Sequence, residues 1–205
     1  MTRLVVVSAG LSVPSSTRLL ADRLSEATVR SLHTPVDLEV VELRPLAHGL
    51  ADHLLTGFAT GELARAIDAV RRADALIVVT PVFSGSYSGL FKTFFDVLEP
   101  GSLDGTPVLV AATAGTARHS LVLDHVLRPL FSYLHAVVVP TGVFAATDDF
   151  ADSALQGRVE RAAGELAGLL GAGRASSPRR SVADELADPT PFEELLRRAG
   201  TTPGG

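Results

Sequence analysis

The chain has 205 residues, a length that suits one domain able to bury about 70% of the surface its unfolded form would expose. Zero cysteines exclude a disulfide framework, a thiolate nucleophile and any Cys-based zinc or iron–sulfur site, so redox chemistry would need a bound cofactor. A net charge of -5 with a pI near 5.6 argues against a general nucleic-acid surface, and at a mean hydropathy of +0.30 no apolar run approaches the ~20 residues of a membrane helix.

The first element expected is a strand, Leu4 to Val7, too short an apolar stretch for a secretory signal, which makes the cytoplasm the expected location. Further β-branched-rich runs follow at Leu38 to Val41, Ala75 to Val79, Val108 to Ala112 and Ala136 to Val139, the pattern of strands buried on both faces. Helical spacing fills the gaps over Thr17 to Leu32, Glu62 to Arg72, Leu90 to Leu98, Ser120 to Leu134 and Ala151 to Leu170. Alternating strands and helices with right-handed crossovers predict an α/β fold, a doubly wound five-stranded parallel sheet of order 2-1-3-4-5 in a three-layer αβα arrangement. This domain is expected over residues 1–171. From Gly171 the composition turns to Gly, Ala, Ser, Pro and Arg, so 172–205 reads as a C-terminal tail, either loose or carrying a short docking helix near 191–198 that starts at Pro191. Only Lys92 among the 18 basic residues is lysine, which reads as the composition of a GC-rich bacterial genome.

Ligands of such sheets bind beyond the carboxyl ends of the strands, where the order reverses between the first and third. The first loop, Ser8 to Arg18, carries five hydroxyls (Ser8, Ser12, Ser15, Ser16 and Thr17), Gly10 and Arg18. Unpaired N–H groups at a helix start, added hydroxyls and an arginine fork suit a phosphate monoester, although Ser15, Ser16 and Thr17 also read as ordinary N-caps. Neither G-x-G-x-x-G nor a P-loop is present. The loop after the third strand, Thr80 to Lys92, begins with Pro81 and is rich in glycine and serine, which suits the edge of a flat heteroaromatic ring or an ordinary turn.

Pro81-Val82-Phe83-Ser84-Gly85-Ser86-Tyr87-Ser88-Gly89-Leu90-Phe91-Lys92, ending in Asp96, resembles the P-x-[YF]-x-G-S-x-x-G-x-x-K-x-x-x-D segment of the flavodoxin-like NAD(P)H-dependent FMN reductases. The resemblance implies Ser12, Ser15, Ser16, Thr17 and Arg18 around an FMN phosphate and Pro81, Val82, Phe83, Ser84, Gly85 and Ser86 at the flavin ring. The commoner family phosphate loop reads G-S-x-R-x-x-S, where this chain has Ala9-Gly10-Leu11-Ser12.

After the fourth strand comes Thr113 to His119, in which Thr113, Gly115 and Thr116 are candidate cofactor contacts, the last two at the flavin edge. His119 reads equally as a surface or capping histidine and as a contact to FMN or nicotinamide. Pro129 lies deep in the expected helix, so its ladder should be distorted. The run from His119 to Leu130 is similar to a helix of the FMN reductases that serve two-component alkanesulfonate-type monooxygenases. That resemblance implies a π-bulge near His125 at a subunit interface, a homodimer or homotetramer, and a flavin-dependent monooxygenase as partner. His33, His48, His53 and His135 lack metal-ligand spacing, and no metal is expected.

The activity implied is hydride transfer from NADPH or NADH to FMN, with no certain catalytic side chain, since the chemistry belongs to the flavin. A quinone- or azo-type reductase with tightly bound FMN and a flavodoxin-like electron carrier are the alternatives.

Overall fold

Alternation within the strands explains the layers. In the computed structural model, which describes residues 1–171 and Pro191, β1 (Thr2–Ser8), β3 (Ala75–Phe83) and β5 (Pro107–Ala114) run parallel and side by side. Val5, Val7, Leu76, Val78, Val108 and Val110 point to one face and join one apolar core. Leu4, Val6, Ala75, Ile77, Leu109 and Ala111 point to the other face and join a second core. Successive strand side chains alternate sides, so two helix layers are needed to cover a sheet this apolar. The first core is closed by α2 (Ala47–Thr56), α3 (Gly61–Arg72), α4 (Gly89–Asp96) and α5 (Arg128–Tyr133), the second by α1 (Ser16–Ser31) and α6 (Ser153–Gly171). Among the described residues no helix is long and apolar enough to cross a membrane. The tail 172–205, apart from Pro191, lies outside the described residues, and with it the docking helix expected near 191–198.

With β2 (Val36–Glu42) on the outer side of β1, and β6 (Val137–Val138) and β7 (Val143–Ala146) both pairing with β5, the order is that of the expected doubly wound sheet. Four details differ from the sequence expectations. The second strand is an edge: of its seven residues only Val41 is buried, and Leu38 is 42% exposed, so it is not covered on both faces. The fifth strand extends past Val139, interrupted by Pro140, Thr141 and Gly142 and resumed as β7. Its freed groups find other partners: the Val139 and Pro140 carbonyls accept from Arg128, and the Thr141 N–H and hydroxyl donate to Glu165, each at 2.7 Å. A further helix, α2, fills the stretch between β2 and α3, ending on Gly57 at φ 77°, the left-handed conformation that favours glycine at a helix C-terminus.

The expected single helix over Ser120 to Leu134 is two pieces, a π-helical segment over Leu123–Leu127 and α5 from Arg128, and a separate 3₁₀ turn at Ala117–His119 precedes them. The Arg128 N–H reaches the Leu123 carbonyl five residues back. Pro129 therefore falls in the first turn of α5, where a missing N–H costs no intrahelical bond. The π-bulge implied near His125 lies in this segment, and the distortion expected from Pro129 takes the form of a helix restart.

Candidate functional site

Three loops leave the carboxyl ends of adjacent strands. Ser8 of β1 lies opposite Val79 of β3, and Pro81 of β3 opposite Thr113 of β5. Strand spacing puts the three loop origins within about 10 Å of one another. All three are loops singled out in the sequence.

The first loop is tightly closed. Ser15 is the N-cap of α1, its hydroxyl accepting from the Arg18 N–H at 3.2 Å. A Cβ at Gly10 would lie 2.2 Å from Ser15 Oγ, so only glycine lets the chain pass this close to the cap. Ser8 is buried at the strand end, while Ser12 and Ser16 are exposed. This fits the phosphate end of FMN: a helix N-terminus, hydroxyls beside it, and a turn without side chain next to them.

Two expected contacts are arranged differently. Thr17 is buried, and its hydroxyl pairs at 2.8 Å with that of Thr113, also buried, at the end of β5. One hydroxyl donates to the other, tying the start of α1 to the end of β5, and the accepting hydroxyl keeps its own O–H. Arg18 lines the cavity beside the loop with its fork already partnered, Nε donating to Asp22 at 2.7 Å and Nη1 to Glu42. The Asp22 hydrogen bond, followed by that of Glu42, raises the Arg18 pKa above its already high ordinary value against the opposing pull of burial. Sequence spacing shows Asp22 one turn after Arg18; it cannot show Glu42 arriving from the end of β2.

The hydroxyl pair gives a prediction. Thr17→Val should cost about 1–3 kcal/mol by leaving the Thr113 hydroxyl buried and unpaired, and Thr113→Val a similar amount. Urea unfolding of the double variant should show less than the summed loss; strict additivity would mean that the two hydroxyls act separately.

The loop after the third strand is a hairpin. β3 continues through Pro81, Val82 and Phe83, turns at Ser84 and Gly85, and returns as β4 (Ser86–Tyr87), antiparallel to Val82 and Phe83. Ser84 and Gly85 have φ of 51° and 77°, the successive positive values a two-residue type I′ turn requires. The hairpin is pinned from below. Buried Thr80 accepts from the Ser88 N–H at 3.0 Å, and the Ser88 hydroxyl caps α4 by accepting from the Phe91 N–H at 3.2 Å. Phe83 is 47% exposed, and a Cβ at Gly85 would meet nothing within 4 Å. An apolar ring beside open backbone suits the flavin face and edge. In the third loop Gly115, Thr116 and His119 are exposed, and a Cβ at Gly115 would likewise meet open space.

One cavity, of about 720 Å³, borders the first loop on its β2 side. It is lined by Ser8, Gly10, Ser12, Ser15 and Arg18, and by Asp22, Glu42, Arg44 and His48 beyond them. The last four were not site candidates on sequence grounds; the signal available was the position of Glu42 and Arg44 at the carboxyl end of a strand.

A doubly wound sheet with a hydroxyl-lined helix start after its first strand and a glycine hairpin after its third defines a flavodoxin-like protein. The model of the NADPH-dependent FMN reductase family matches residues 2–151. The FMN reductase (NADPH) of Pseudomonas aeruginosa is 42% identical over 174 residues, covering 82% of this chain and 92% of the relative. The NADH-dependent FMN reductase SfnF of Pseudomonas fluorescens is 41% identical over the same shares. Among solved structures, an oxidoreductase from Corynebacterium diphtheriae is 49% identical with a TM-score of 0.82, covering 85% of this chain and 99% of that one. The chain belongs to the NADPH-dependent FMN reductase family.

Proposed function

We infer that this chain is an NAD(P)H-dependent FMN reductase, that FMN enters as a substrate held across the three carboxyl-end loops, and that the reduced flavin passes to a flavin-dependent monooxygenase. The observation that carries the reading is the convergence of the three loops on neighbouring strands, one shaped for a phosphate and one for a ring. When bound, FMN supplies the hydride-accepting ring. The protein's part is placement. Ser12, Ser15 and Ser16 and the free N–H groups at the start of α1 hold the phosphate, Pro81 to Ser86 flank the ring, and Gly115, Thr116 and His119 border its far edge. Backbone N–H groups of the hairpin would stabilise the negative charge of a reduced flavin held there.

Both nicotinamides are donors in this reading, since one close relative is named for NADPH and another for NADH. The chain acts in the cytoplasm as a homodimer or homotetramer, with exposed Leu121 and Tyr133 on either side of the π segment as candidate contacts. The experiment is stopped-flow oxidation of NADPH and NADH by the purified chain with added FMN. Turnover with at least one donor, and loss of flavin on gel filtration, are expected. No oxidation of either donor would overturn the reductase reading, and flavin retained through gel filtration would favour a quinone- or azo-type reductase.

A further inference from the structure

The cavity beside the first loop contains a conflict of charge. Its hydroxyls, Ser12 and Ser15, the start of α1 and the guanidinium of Arg44 favour a phosphate, yet Asp22 and Glu42 line the same space, which His48 also borders. Both carboxylates hold Arg18, the one cation in the first loop, from opposite sides: Asp22 from one turn further along α1, Glu42 from the last residue of the neighbouring edge strand. About half of each acidic side chain stays exposed, at 43% and 48%, so neither is locked in place by packing. A dianionic phosphate at Ser12 and Ser15 has either to draw Arg18 away from these carboxylates or to share it with them. In both cases two negative charges remain nearby.

We propose that Asp22 and Glu42 set the flavin affinity of this chain, competing with the FMN phosphate for Arg18 and keeping binding loose enough for reduced FMN to leave. This rests on the FMN reductase reading above. Without the two carboxylates the same cradle would hold FMN more tightly and release it more slowly. The residues belong to α1 and β2, away from the hairpin and the third loop, so they act on the phosphate end and leave the ring contacts alone.

The test measures equilibrium binding and stopped-flow release of FMN and of riboflavin, which lacks the phosphate, by flavin fluorescence and without nicotinamide. The proteins are the full-length wild type, Glu42→Gln, Asp22→Asn and the charge-keeping Glu42→Asp. Removing one unit charge within about 4 Å of a charged ligand changes its affinity by about fivefold even at the dielectric of bulk water. Glu42→Gln and Asp22→Asn should each tighten FMN by that factor and slow its release in proportion, with riboflavin unchanged and Glu42→Asp close to wild type. Thermal melts establish that each variant is folded. FMN binding that is unchanged or weakened in both neutral variants overturns the proposal, as does equal tightening of FMN and riboflavin. A wild-type chain that binds neither flavin overturns instead the FMN reading on which the proposal rests.

Discussion

Gly10→Ala should lower kcat/KM for FMN about tenfold, because the Ser15 hydroxyl has to leave its place and the first loop has to shift by a few tenths of an ångström. The new Cβ would lie 2.2 Å from Ser15 Oγ, 3.2 Å from Ser15 Cβ and 3.3 Å from Thr17 Cβ. Rotating the serine hydroxyl relieves only the first contact. The two carbon contacts require the chain itself to give, and Thr17 is held from below by Thr113, so the movement falls on the first loop. Ser15 also caps α1, and its loss as a cap would cost about 1 kcal/mol. The expected result is a protein that still folds, with a small drop in urea midpoint and a large rise in the FMN dissociation constant. Riboflavin binding should suffer less, because the displaced groups face the phosphate. FMN affinity within twofold of wild type would place the phosphate away from Ser15.

What could be read from the sequence divides along the range of the interactions. Val5 to Val7, Ile77 to Val79 and Val108 to Val110 declare themselves as inner strands because both their faces are apolar, a property each residue carries by itself. Leu38 and Val40 are equally apolar, but they alternate with Asp37 and Glu39, and that polar face is the local trace of the edge position of β2, which a reading of the apolar residues alone passes over. Pro140 ends the fifth apolar run convincingly, but the strand resumes at Val143 because Arg128 and Glu165, distant in sequence, satisfy the groups that Pro140 to Gly142 leave unpaired. The site shows the same division. Ser15 as a cap and Ser84-Gly85 as a turn depend on neighbours a few residues away, and the loops containing them stand out in the sequence. Arg18 reads locally as a phosphate ligand with Asp22 one turn on, and only the fold adds Glu42, 24 residues on, as its second partner. The π segment was not visible in hydrophobic spacing at all; Pro129 signalled only that something in that helix had to give, and likeness to related helices supplied its form.

Phe131→Ala should cost about 3–5 kcal/mol, the range for removing a buried aromatic side chain from a well-packed core. Phe131 is fully buried and meets Phe95 edge-on at 4.9 Å between centroids and Phe91 at 6.2 Å, while Phe91 and Phe95 are themselves 4.7 Å apart. These three rings join α4 to α5. α4 begins where the hairpin is pinned through Ser88, and α5 begins where the π segment ends, so this cluster fixes two of the three site loops relative to each other. Collapse into the cavity left by the ring is hindered because α5 is only six residues long and is also anchored through Arg128 to the carbonyls of Val139 and Pro140. For a chain of this size the loss corresponds to a fall of about 6–20 °C in melting temperature. Phe131→Leu retains much of the volume and should recover most of the stability, though not the edge-to-face contact with Phe95. Thermal and urea unfolding of both variants check this. A loss below about 1 kcal/mol for the alanine variant would mean that α4 and α5 close the gap, and that the rings do not hold the hairpin and the π segment in register.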